Sequence, residues 1–207
     1  MEFKEIKRLL DLRCYEDNLY IAGYEKIAGV DEVGRGSLAG PLVAAAVILD
    51  KRKLAIEDIN DSKKLPSDKR KFIFKKIIRS CLCWSIVKIP SDEIDTLTIT
   101  KANALAFRRA IDALKIKPDI ILADYISMDL GVEYLPIVNG DSLSISVAAA
   151  SIIAKVIRDR IMLKFSRYYP EYGFEKNKGY GTRKHLKSLQ IYGPTNIHRV
   201  SYRGVLS

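Results

Sequence analysis

Cysteine is scarce in this chain. The three present, Cys14, Cys81 and Cys83, are an odd number with no zinc-like spacing, which argues against a disulfide framework and for a reduced, cytoplasmic compartment. Two residues apart on a strand, Cys81 and Cys83 are expected to face the same side. Long apolar runs are also missing, and none approaches the length that crosses a bilayer. The first residues, M-E-F-K-E-I-K-R-L-L, carry charge where a signal peptide needs an apolar centre. Secretion and membrane spanning are therefore excluded. No internal repeat, low-complexity tract or interdomain linker is present, so one domain over residues 1–207 is expected, its 48% of hydrophobic residues filling a core without staples.

Acid is in deficit, with 25 Asp and Glu against 35 Lys and Arg for a formal charge of +10. A basic surface attracts polyanions such as nucleic acid, although charge alone also fits a solvated surface that keeps the chain soluble. Against that background the segment G-V-D-E-V-G-R-G-S-L-A-G-P, Gly29 to Pro41, is the most informative. Two adjacent carboxylates, Asp31 and Glu32, follow an apolar run and precede glycines that let backbone approach a ligand. Such acids are costly to bury without a positive partner, and a divalent cation is the leading candidate.

Hydrophobic periodicity places the remaining elements. Residues 2 to 20 read as an amphipathic helix through Phe3, Ile6, Leu9, Leu10 and Leu12. Lys26 to Val33 and Leu42 to Leu49 read as strands joined by a tight connection, which puts Asp31 and Glu32 at a strand end. Neighbours on a regular strand point to opposite faces, so the two acids share a site only if the strand ends or bulges there. Ser67 to Ser80 reads as a basic helix with Phe72, Ile73, Ile77 and Ile78 inward, Cys81 to Ile89 as a strand, and Thr100 to Leu114 as a helix through Ala104, Phe107, Ile111 and Leu114. The run from Asp119 to Asp124 has the pattern of a buried strand delivering a carboxylate at its end. Asp124 is thus the third candidate acid. After a strand from Tyr134 to Val138, Asn139-Gly140 leads to Asp141 and a helix over Ser142 to Phe165. The order of elements predicts an α/β fold, a mixed sheet flanked by helices.

On that last helix, Ala148, Ser151 and Lys155 return to within roughly 80° of the direction of Asp141, so one face carries acid, hydroxyl and amine. Equally, Asp141 could simply cap the helix and Ser151 bond to the preceding turn. Arg158, Asp159 and Arg160 read as surface residues. From Gly173 to His185 the composition shifts to Gly, Tyr, Lys, Arg and His. Tyr172, Phe174 and Tyr180 among basic residues suit phosphate pairing and stacking on a sugar or base, and suit equally a loop whose rings anchor it to the core. Thr182 is placed to cap a short helix running to Leu189.

These motifs taken in order carry a resemblance. Asp31-Glu32-Val33-Gly34-Arg35-Gly36, Leu38-Ala39-Gly40-Pro41, Asp61-Ser62-Lys63-Lys64-Leu65, Gly140-Asp141-Ser142, Ala149-Ala150-Ser151-Ile152-Ile153-Ala154-Lys155 and Lys178-Gly179-Tyr180, with His198-Arg199 beyond them, resemble bacterial ribonuclease HII from about Ala28 to Arg203. The resemblance implies a ribonuclease H-like mixed sheet with a small helical C-terminal region, residues of about 170–207 forming a basic substrate-binding extension. It implies four site acids, Asp31, Glu32, Asp124 and Asp141, binding magnesium or manganese. Two such ions about 4 Å apart serve in-line hydrolysis of a phosphodiester. The implied substrates are RNA–DNA hybrid and duplex DNA carrying a single ribonucleotide, cut to 5′-phosphate and 3′-hydroxyl ends.

By the same resemblance, Gly34, Arg35 and Gly36 with Tyr180 sense the 2′-hydroxyl at the ribo–deoxyribo junction, while Lys63, Ser151 and Lys155 contact phosphates. His185 and His198 read as phosphate-side or structural residues, not bases. A monomer is expected; a replication-clamp partner is not readable from the sequence. The chain departs from the family pattern at Tyr125, where glycine is usual, and at Ser37, where proline is common. Tyr125 is expected to narrow the site or alter junction preference. The rival readings are a catalytically silent nucleic-acid-binding module, in which four acids would repel the phosphates it must attract, and another metal-dependent nuclease of the same fold such as a junction resolvase. Type HIII relatives usually carry a large N-terminal domain and rank lower.

Overall fold

The computed structural model describes residues 1–124 and 132–206, with Asp124 described by its backbone alone. Tyr125 lies outside the described residues. The sheet is built on β1 (Ile27–Val33), which pairs antiparallel with β2 (Leu42–Leu49) and parallel with β4 (Ile120–Asp124). β3 (Cys81–Ile89) extends it beyond β2 and β5 (Tyr134–Ile137) beyond β4, giving the order β3-β2-β1-β4-β5. This is the mixed sheet expected.

Every residue of β2 is buried, which explains why it reads as a continuous apolar run instead of alternating. Val43, Ala45, Val47 and Leu49 face a core shared with α1 (Phe3–Leu12), α3 (Ser67–Ser80) and α7 (Ile145–Tyr168). Leu42, Ala44, Ala46 and Ile48 face Ala102, Ala106, Phe107 and Ala110 of α5 (Ile99–Asp112). Small residues let α7 press onto the sheet: a β-carbon added at Gly29 would stand 2.1 Å from the Ser146 carbonyl carbon. This contact fixes the height of α7 over β1, and with it the side chains that α7 presents to the end of that strand.

Several expectations are corrected by packing. The single N-terminal helix is two, α1 and α2 (Cys14–Ile21), turning at Arg13. Only Leu9 and Leu12 of the first face the core, while Phe3, Ile6 and Leu10 are exposed. The turn carries Glu16 into the interior against Ser144. Phe72 is exposed, its ring covered by the Lys76 amine at 4.8 Å. A bulge opposite Ile48 and Leu49 makes Leu82 an extra residue, so Cys81 joins the core under α7 and Cys83 the opposite one. A short helix, α4 (Ser91–Leu97), was not anticipated.

The helix expected over 142–165 is also divided. α6 (Gly140–Leu143) carries Asp141, and Ser144, in extended conformation, starts α7. The Ser144 hydroxyl accepts from the Val147 N–H and donates to Glu16, so Ser144, not Asp141, is the cap. The β1–β2 connection, residues 34–41, is no tight turn. Ala39 bridges to His198, and the Leu38 N–H donates to the Gly179 carbonyl at 2.8 Å. Around this joint Leu38, Met162, Tyr172, Phe174 and Leu189 form a separate core beneath α8 (Phe174–Asn177) and α9 (Arg183–Tyr192). Thr182 caps α9 as expected. No helix among the described residues is long and apolar enough to cross a membrane.

Candidate active site

A cavity of about 640 Å³ opens at the C-terminal end of β1. It is lined by Asp31, Glu32, Gly34, Arg35, Gly36, Lys63, Ser151, Lys155 and Tyr180, all foreseen, together with Val33, Ser62 and Arg70. The strand itself is regular, its pairing with β2 unbroken through Glu32 and Val33. The acids therefore meet without a bulge: β1 ends at Val33, Gly34 turns away at φ +103°, and the cavity wraps around that end.

Asp31 is buried on the face toward α7. Burial first of all, then the charge of Glu32, pushes its carboxyl well above the usual carboxylate range. The Ser151 hydroxyl and the Glu32 backbone N–H pull it back, and the charge of Asp141 adds to the rise. Ser151 also shares a 2.9 Å hydrogen bond with Ser62. Glu32, nearly buried, lies 3.7 Å from Arg35 Nη1.

Asp141 stands on α6, buried and not among the residues that line the cavity, with Lys63 Nζ 3.3 Å from its Oδ2. Burial works against the Lys63 charge, but the acids around it, Asp141 foremost, raise its pKa overall. The β1–β4 register ends at Val30 opposite Ala123, so the next residues along the two parallel strands are Asp31 and Asp124. Among the described residues no group of three His, Cys, Asp or Glu side chains is placed to hold an ion. The chemistry of the donors still fits one: a buried carboxyl such as Asp31, raised by burial and by the charges of Glu32 and Asp141, gains most from a hard divalent cation with oxygen ligands.

Lys155 lines the cavity, its amine held 2.8 Å from Asp159, which also receives Arg70 at 3.1 Å. Burial lowers the Lys155 pKa despite that partner. Asp159 and Arg158 are therefore not surface residues; Arg158 is wholly buried, and of the three only Arg160 is exposed. The aromatic residues of the C-terminal segment divide: Tyr172 and Phe174 stack on each other in the core, and Tyr180 stays at the cavity rim. His185 and His198 are buried against each other and serve structure.

A model of the ribonuclease HII family matches residues 28–205. The chain belongs to the ribonuclease HII family. It is 50% identical over 200 residues to ribonuclease HII of Caldanaerobacter subterraneus subsp. tengcongensis, covering 96% of this chain and 83% of that one. It is 48% identical over 194 residues to ribonuclease HII of Caldicellulosiruptor bescii, covering 93% and 94%. Among solved structures, the ribonuclease H2 of Pyrococcus horikoshii OT3 superposes with a TM-score of 0.76 at 30% identity, over 87% of this chain and 95% of the other. RNase HII of Archaeoglobus fulgidus, solved in complex with PCNA, gives 0.71 at 26% identity, over 83% and 91%. This member of the family is thus a metal-dependent endoribonuclease on a ribonuclease H-like fold. Sequence reasoning missed Ser62 and Arg70 at its cavity. Ser62 stood within a quoted motif, whereas Arg70 was one more cation on a basic helix, with nothing in the pattern to mark it as buried.

Proposed function

We propose that this enzyme cleaves the RNA strand of RNA–DNA hybrids and nicks duplex DNA on the 5′ side of a single embedded ribonucleotide, leaving 5′-phosphate and 3′-hydroxyl ends. The observation that supports it most is the space at Gly36. A β-carbon there would meet nothing within 4 Å, so packing does not demand the glycine, and its bare backbone stands open to a ligand. It lies on the same cavity as Asp31 and Glu32.

Asp31, Glu32, Asp124 and Asp141 would hold magnesium or manganese, two ions in the reacting complex. Their chemistry would be to activate water and to stabilise the departing 3′-oxygen. Gly34, Arg35 and Gly36 offer backbone groups to the 2′-hydroxyl, and the Tyr180 ring excludes a second hydroxyl on the following sugar. Lys63, whose side chain is 79% exposed, meets phosphate at the mouth, with Ser151 and Lys155 deeper. Membership of the ribonuclease HII family disfavours both the silent module and the junction resolvase.

The test is a DNA duplex with one ribonucleotide, incubated with magnesium, manganese or chelator and mapped to nucleotide resolution. A metal-dependent cut on the 5′ side of the ribonucleotide is expected, and a cut elsewhere, or one that survives chelation, refutes the proposal. Because the Archaeoglobus fulgidus relative was solved with PCNA, a sliding clamp is the partner to test, by co-elution on size exclusion, which also tests the expectation that the free enzyme is a monomer.

A further inference from the structure

Arg158 has a bonding pattern that cleavage itself does not require. It sits on α7 with no exposure, and its guanidinium donates to four neutral oxygens: Nε to the Pro41 carbonyl (3.0 Å), Nη1 to the Lys178 carbonyl (2.9 Å), and Nη2 to Ser37 Oγ (2.7 Å) and the Ala39 carbonyl (3.2 Å). Burial draws its pKa down to about 10, which leaves it charged at neutral pH. A buried charge held by neutral acceptors is an expensive way to fill space, and an apolar side chain of similar volume stabilises a core at least as well. What the guanidinium adds is direction, because its donors lie in a rigid planar fork.

Those acceptors belong to two chain segments that make the cavity rim. Ser37, Ala39 and Pro41 lie on the β1–β2 connection, and Lys178 stands two residues before Tyr180, whose ring centroid is 5.5 Å from the guanidinium carbon. Ser37 relays the constraint, its hydroxyl donating to the Gly34 carbonyl at 2.9 Å. The C=O and N–H of a trans peptide point in opposite directions, so turning the Gly34 carbonyl toward Ser37 turns the Arg35 N–H away from it. Gly34 also fits only as glycine here, since a β-carbon would stand 2.3 Å from Arg158 Nε. A proline at position 37, common in the family pattern, has no hydroxyl to make this link.

We infer that Arg158, acting through Ser37, is a positioning residue that holds the Gly34–Gly36 backbone and Tyr180 at one spacing, and that selection of the ribo–deoxyribo junction depends on it. The inference rests on the reading of that rim as the ribose sensor. The test measures kcat and KM on a single-ribonucleotide duplex and on a uniform RNA–DNA hybrid, with melting temperatures, for the wild type, Arg158→Lys, Ser37→Ala and Tyr180→Ala. Lysine keeps the charge but cannot span both segments from one nitrogen.

Arg158→Lys should lower the junction-to-hybrid ratio of kcat/KM about tenfold, chiefly through kcat, because misplaced groups act on the reacting geometry. Ser37→Ala should shift the same ratio the same way by about threefold, with a melting temperature near that of the wild type. Equal losses on both substrates would make Arg158 merely structural and overturn the inference. An unchanged ratio in Ser37→Ala would overturn it even if Arg158→Lys fails to fold. If Tyr180→Ala also leaves the ratio unchanged, the ribose-sensor reading falls and takes the inference with it. If Tyr180→Ala alone collapses the ratio, that reading stands and the inference falls.

Discussion

His198 donates its Nε2–H to Nε2 of His185 across 3.0 Å, and the partners of both rings fix that direction. The Thr195 N–H donates to His198 Nδ1, so this ring carries its proton on Nε2. His185 Nδ1 faces the Tyr180 carbonyl, which can only accept, so its proton is on Nδ1 and its Nε2 is the acceptor. Both rings are neutral, and a third proton has no place in the chain of bonds. Burial, then His185, takes the His198 pKa down to about 4, and burial lowers His185 as well.

The sign follows from those directions. An unfolded histidine takes up its proton near pH 6.5 and the folded His198 only near 4. Between those values the unfolded chain binds more protons, so stability falls as pH falls through that window. Hydrogen exchange at about pH 7 and about pH 5 should show weaker protection of residues 172–199 at the lower pH. Equal protection at both would contradict the assignment of a neutral pair.

Asp31→Asn should abolish cleavage yet raise the melting temperature of the metal-free enzyme at neutral pH. A carboxyl whose pKa is raised in the fold loses stability as pH climbs above its ordinary value, and asparagine removes that repulsion. Magnesium should then stabilise the wild type more than the variant. A variant that melts below the metal-free wild type would show that Asp31 is not strained by its neighbours.

Glu16 holds the start of α7 through Ser144 Oγ at 2.5 Å and the Ser146 N–H at 2.9 Å. Glu16→Ala strips two buried groups of their acceptor and should cost about 1–3 kcal/mol, read from urea unfolding. Glu16→Gln keeps an acceptor and should cost less. Equal costs for the two would point to lost volume instead of lost bonds.

Hybrid binding by Asp124→Asn should remain while cleavage is lost, because the basic surface is untouched. Its affinity should fall steeply with salt as phosphate contacts release counterions. A flat salt dependence would contradict the role given to the +10 charge.

The strands were legible from local signals, and the cavity lining from glycines and acids at a strand end together with the family resemblance that supplied Lys63, Ser151, Lys155 and Tyr180. β2 was bounded correctly by its apolar run, and the Gly34–Gly36 rim by its glycines. What the sequence hid was each place where distant segments decide. Ser144 looks like any helical serine until Glu16, 128 residues away, reaches it. Arg158 looks solvated because nothing nearby in sequence announces carbonyls from residues 39, 41 and 178. The bulge that parts Cys81 from Cys83 depends on the register with β2, which alternation within one strand cannot reveal.

The bond from Arg199 to the Gly40 carbonyl joins residues 159 positions apart, and the Leu38 N–H reaches Gly179 over nearly the same span. During synthesis the sheet can pair long before either partner leaves the ribosome. Competence to select a substrate therefore waits on the trailing segment, since the 34–41 connection lacks these bonds until residues 179 and 199 are in place.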